Sequence, residues 1–104
     1  MTRFYWKAIC NEVRQEAISK INMLISKYGS VLSFQPSSDM SLGIVIETEA
    51  SRAEGLFTDL SKTLKFYNSD TIAVNSKEVC IIMLNITFAG GKGDLSIDSP
   101  RVPG

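Results

Sequence analysis

Glu47 and Glu49 stand two residues apart, so any strand that holds them puts both carboxylates on one face, and Asp39, Glu54 and Asp59 make the surrounding stretch acidic. Paired carboxylates serve acid–base chemistry or bind a hard cation. No third ligand and no neighbour that raises a pKa accompanies them, so they read as a solvated strand face. The stretch Gly90-Gly91-Lys92-Gly93-Asp94 offers closely spaced backbone amides and a lysine to an oxyanion. A phosphate-binding loop runs G-x-x-x-x-G-K-[ST] from a strand into a helix, whereas these glycines separate two strand-like segments and read as a hairpin turn. Arg3-Phe4-Tyr5-Trp6-Lys7 sets three aromatics between two cations, a combination that stacks on bases, lies at a lipid interface or packs on another protein. Read as helical, Arg3, Lys7 and Arg14 share one face and can grip an acidic segment or lay their stems along an apolar stripe.

Histidine is absent, which removes the Ser-His and Cys-His nucleophile pairs, the imidazole base and every zinc site that needs His. No cofactor fingerprint is present, so the chain is read as non-catalytic, with no cofactor and no metal. Cys10 and Cys80 match no metal or redox spacing and lie within apolar patterns, where reduced thiols in the cytoplasm behave as small hydrophobes. Eleven cationic side chains balance eleven acidic ones, so no net charge draws the chain to nucleic acid or to anionic membrane. The charge is nonetheless uneven. Residues 1–30 hold five Lys and Arg against two Glu, and residues 31–61 one Arg against five acids, an asymmetry able to orient two copies or a partner. The longest apolar run, Val79 to Leu84, is six residues, against about 20 for a membrane-spanning helix. The first residues lack a signal peptide's apolar region and read as mature sequence. A length of 104 residues with 44% hydrophobic composition fits one domain over residues 1–98, followed by a Pro-containing tail over 99–104.

The elements that must position these groups follow from periodicity. From about Arg3 to Tyr28, Trp6, Cys10, Val13, Ala17, Ile21, Leu24, Ile25 and Tyr28 recur at spacings of three and four, which predicts one long amphipathic helix ended by Gly29. On that helix Phe4, Tyr5 and Trp6 fan over roughly 200°, so they cannot all face one core. Val31 to Gln35 reads as a strand stopped by Pro36, and Leu42, Ile44 and Ile46 alternate along the next. Ser51-Arg52-Ala53-Glu54 is a capping box that opens a second helix with Ala53, Leu56, Phe57, Leu60, Leu64 and Tyr67 as its stripe. Thr71 to Val74 predicts a short strand, and Leu95 to Asp98 a final one. Between them Val79 to Ala89 is a strong strand, with Cys80, Ile82, Leu84, Ile86 and Phe88 on one face and Val79, Ile81 and Met83 on the other.

The order helix, strand, strand, helix, strand, strand predicts an α+β two-layer sandwich, ferredoxin-like or a permuted variant (αββαββ), with an antiparallel sheet and two helices on one face. Val79, Ile81 and Met83 then emerge on the face away from the helices, where either a helix, the C-terminal tail or a curled sheet of the same chain covers them or a second copy of the chain is the natural cover, with Phe4 and Tyr5 joining the contact. The expected function is a self-associating protein–protein interaction module, a homodimer or the companion of another protein. In element order, the stretch from Ser26 to Leu64, with Gly29, Val31 and the Leu42–Ile46 strand, resembles the middle of the small-molecule-sensing ACT domains. That resemblance implies a regulatory domain that binds its ligand at a subunit boundary, with Gly29 to Ser33 and the Ser37 to Ser41 loop as the binding segments.

Overall fold

Burial alternates residue by residue along residues 3–10, 41–49 and 79–88, and that period of two, rather than the helical one, organises the opening segment of the chain. The computed structural model describes residues 2–38, 40–72 and 77–89. Its elements are β1 (Thr2–Cys10), α1 (Arg14–Ser26), β2 (Gly29–Ser38), β3 (Ser41–Glu49), α2 (Ala50–Leu60), β4 (Lys65–Ser69) and β5 (Val79–Phe88). The fold is α+β, with one five-stranded mixed sheet in the order β2-β3-β5-β1-β4. β5 runs parallel to β1 and antiparallel to β3. Ala17, Ile21 and Ile25 of α1 and Ala53, Leu56 and Leu60 of α2 join the inward residues of β1, β3 and β5 in a single core. Both helices therefore cover the same sheet face. The fully buried Ile and Leu side chains of that core each stabilise the fold by roughly 1.5–3 kcal/mol relative to exposure.

The expected long helix is a strand followed by a shorter helix. Trp6 and Cys10 are four apart, a spacing that keeps two residues on one face of a helix and of a strand alike. Ala8 separates the two cases: it is completely buried between Trp6 and Cys10, as only the strand allows. The strand also resolves the three consecutive aromatics, turning Phe4 and Trp6 to the helices and Tyr5 to the opposite face. Trp6 makes edge contacts with Phe57 (5.1 Å between ring centroids) and Phe66 (5.8 Å), which stack on each other at 4.3 Å. This trio joins β1, α2 and β4. Asp70 fastens the end of β4 to β1, accepting from the Tyr5 amide through Oδ2 (2.8 Å) and from the Trp6 indole through its carbonyl (3.0 Å).

The second helix also differs from expectation. It begins at Ala50, with Glu49 as N-cap and no side-chain capping bond, so Ser51 lies inside the first turn and the capping box does not form. It ends at Leu60, and Phe66, not Tyr67, faces the core from β4. β2 continues past Pro36 to Ser38, which an edge strand tolerates because only one of its sides must pair. Thr71 and Ile72 are not in a strand. The expected strands at 71–74 and 95–98 and the glycine turn at 90–94 fall partly or wholly outside the described residues.

Gly29 opens β2 instead of ending a helix. A Cβ there would collide with the Glu47 carbonyl oxygen and lie 2.8 Å from Thr48 Cβ, so the close approach of β2 to β3 demands glycine. Thr48, the buried polar residue of β3, donates its hydroxyl to the Tyr28 carbonyl at 2.7 Å. The Tyr28 hydroxyl in turn donates to Asp59 Oδ2, linking the chain just after α1 to α2. That hydrogen bond holds the Asp59 carboxyl below its ordinary value and pushes the Tyr28 phenol up.

Gly29→Ala should lower the melting temperature by many degrees in a thermal unfolding scan, since backbone would have to move to admit the methyl. Tyr28→Phe should lower it at neutral pH while keeping the ring. Because the Asp59 carboxyl is depressed in the folded state, its contribution is present at neutral pH and lost as pH falls through the folded value, below the ordinary 3.8. Melting curves of the two proteins should therefore converge on acidification past that point.

Candidate functional site

With the helices on one side, the side chains of alternate strand residues stand on a face that no described element covers. Cross-strand register arranges them in rows. Arg3, Ile81 and Glu47 form one row across β1, β5 and β3. The next holds Tyr5, Met83, Val45 and Ser33, and the next Lys7, Asn85, Gly43 and Gln35. At one end of β5, Val79 neighbours Glu49. The middle of the face is apolar, built by Ile81, Met83, Val45 and the half-exposed Tyr5, which is 53% accessible. On the β1 side it is flanked by the cations Arg3 and Lys7, and on the β3 side by Glu47 and Glu49. The uneven charge of the chain thus becomes an uneven charge across one surface.

Gly43 leaves a gap in this surface. Tyr5, Lys7, Gln35, Met83 and Asn85 surround it, and the depression measures about 230 Å³. A Cβ at Gly43 would make ordinary contact with Gln35, 3.5 Å from its carbonyl oxygen, so packing between strands does not require glycine here.

The structure brings Val79, Ile81, Met83 and Tyr5 to one face and sends Phe4 to the other, where it is half-buried on the helical side. Glu47 and Glu49 do share a strand face. Arg14 leaves the set of Arg3 and Lys7: it lies on α1, donates to the Ser38 carbonyl at 3.1 Å and sits 5.3 Å from the centroid of the Phe88 ring. Of the segments nominated for ligand binding, Gly29 to Ser33 begins β2, whereas Ser38 pairs with Ser41 at the far end of that strand, so the two do not converge. Val45 and Gly43 escaped sequence reasoning, because only the register with β5 and β1 reveals what they stand beside.

Among the described residues no group of three or more His, Cys, Asp or Glu side chains is placed to hold a metal ion. Cys10 and Cys80 are free and buried, and burial pushes both thiols up, toward the protonated form. They cannot bridge. Cys10 is level with Phe88 and Cys80 with Thr2, so the two lie at opposite ends of the β1–β5 pair, roughly 25 Å apart at strand rise. No helix among the described residues is long and apolar enough to cross a membrane.

Gly43→Ala should leave the melting temperature unchanged or raise it slightly, in contrast to Gly29→Ala, because the methyl makes only ordinary van der Waals contact with Gln35 and the change removes a glycine from a strand interior. Comparison of the chain with protein-family models, with curated proteins and with solved structures finds no match.

Proposed function

We propose that this protein is a non-catalytic interaction module that associates with a second copy of itself through the helix-free sheet face. The observation that carries the reading is the apolar centre of that face, where Ile81 and Met83 of β5 lie between Tyr5 and Val45 with no described element against them. A sheet that leaves such a centre to water gains by burying it against another apolar surface. Self-association supplies that surface without a second gene product, and closed two-fold dimers are the commonest way soluble chains do so. Five strands about 4.8 Å apart present a face on the order of 600 Å² before side-chain relief, close to the ~800 Å² per partner of a stable interface.

The finer architecture belongs to the same reading. Without β5 the strand order is β2-β3-β1-β4, that of a ferredoxin-like sandwich, so we read the fold as such a sandwich with β5 inserted at its centre. Two buried, unbridged thiols suit the reducing cytoplasm.

On native mass spectrometry and sedimentation the full chain should be a dimer, and Met83→Glu should be a folded monomer by circular dichroism, its self-association weakened at least a hundredfold. A Met83→Glu protein that dimerises as the parent does overturns the proposal. So does a parent that stays monomeric while a chain ending at Ala89 dimerises, because residues 90–104 would then be the cover.

A further inference from the structure

The same face carries information about how the second copy sits on it. We infer that the two copies pack face to face about a two-fold axis running along β5, so that β1 of each lies over β3 of the other and Arg3 meets the partner's Glu47. This inference rests on the self-association reading and adds the orientation.

Two sheets facing each other about a two-fold axis in the plane between them have two simple arrangements. An axis along the strands keeps position along the strand and exchanges left for right. An axis across the strands does the reverse. β5 is the middle strand, with two strands on either side, so an axis along it overlaps the whole face. Because Arg3 and Glu47 are both level with Ile81, that axis brings Arg3 directly over the partner's Glu47, twice per dimer. Tyr5 and Val45 are both level with Met83, so the same operation sets an aromatic ring on a β-branched side chain. Lys7 and Gly43 are both level with Asn85, so the longest side chain of β1 in that row comes over the gap in β3. Three successive rows are complementary in charge, in polarity and in shape. An axis across the strands at the central Tyr5–Met83 row instead lays β1 on β1 and sets Arg3 against the partner's Lys7, like charges in a desolvated contact.

Sheet twist does not spoil the match. Packed sheets cross at about 30°, which at one strand spacing from the axis displaces facing residues by about 2.5 Å, well under the ~6.7 Å between successive side chains on one face. Within one chain Arg3 and Glu47 are separated by the whole of β5, about 9.6 Å between their strands. The ion pairs among the described residues, Lys20–Glu12 and Lys62–Asp59, involve neither.

Charge exchange tests the orientation separately from dimerisation itself. Arg3→Glu and Glu47→Arg should each fold and each weaken self-association about tenfold or more, since two like-charged contacts replace two attractive ones. Mixed in equal amounts they should recover a dimer containing one of each. In that dimer the glutamate introduced into the first chain meets the arginine introduced into the second, and the unaltered Glu47 of the first meets the unaltered Arg3 of the second. Preferential heterodimer on native mass spectrometry supports the axis along β5. A statistical mixture of dimers, or an Arg3→Glu protein that associates more tightly than the parent, overturns it. If these variants dimerise normally while Met83→Glu is monomeric, the orientation fails and the sheet-face reading stands; if Met83→Glu also dimerises normally, the reading itself fails.

Discussion

The backbone of β5 is hydrogen-bonded along both sides, to β3 on one and to β1 on the other, and the rest of the molecule is arranged around that double pairing. Both backbone edges of β5 are paired, and its side chains alternate between the two sheet faces. Cys80, Ile82, Leu84, Ile86 and Phe88 go toward the helices and are almost wholly excluded from water. Val79, Ile81, Met83, Asn85 and Thr87 must go the other way. The core and the open surface are therefore two consequences of one strand.

What surrounds β5 follows from the need to cover its first face. α1 and α2 are amphipathic and bury Ala17, Ile21 and Ile25 and Ala53, Leu56 and Leu60 against it, and the aromatic trio of Trp6, Phe57 and Phe66 closes the side nearest β4. Polar fastenings sit at the rims: Thr48 to the Tyr28 carbonyl, Tyr28 to Asp59, and Asp70 to β1. None of the chain's helices remains for the second face among the described residues. Its apolar middle and opposed charged flanks are the features a second copy, turned about β5, would satisfy.

The parts of this fold that can be read from the residues are those where one period alone fits. Leu42, Ile44 and Ile46 alternate, and so do Cys80 to Phe88, and both stretches are strands; that alternation sets Val79, Ile81 and Met83 on the face opposite Cys80 to Phe88, and the placing of both helices on one side leaves it without a described cover. The opening segment is where periods coincide. Trp6 to Cys10 satisfies helix and strand equally, and what decides for the strand is long-range pairing with β5 and β4, which no local pattern contains. Tyr5 stands on the helix-free face as the odd residue of a strand and not as the odd one of a helix. Leu60 and Leu64 pose the same ambiguity at the end of α2, where the chain turns into an edge strand with Phe66 as its core residue. That Arg3 and Glu47 are both level with Ile81, and Lys7 and Gly43 with Asn85, lies further still from the sequence. Residues more than 35 positions apart share a row only through register.

The most direct test of the sheet face as the surface of self-association is methyl NMR of the methionines across a dilution series. Met83 lies at the centre of the proposed contact, and Met23 is exposed on α1, on the opposite side of the sheet. The account predicts that the Met83 methyl resonance changes between concentrated and dilute protein, in step with the loss of the dimer, while Met23 stays fixed. A Met83 resonance unchanged over a range in which the dimer dissociates, or a response at Met23 instead, would contradict it.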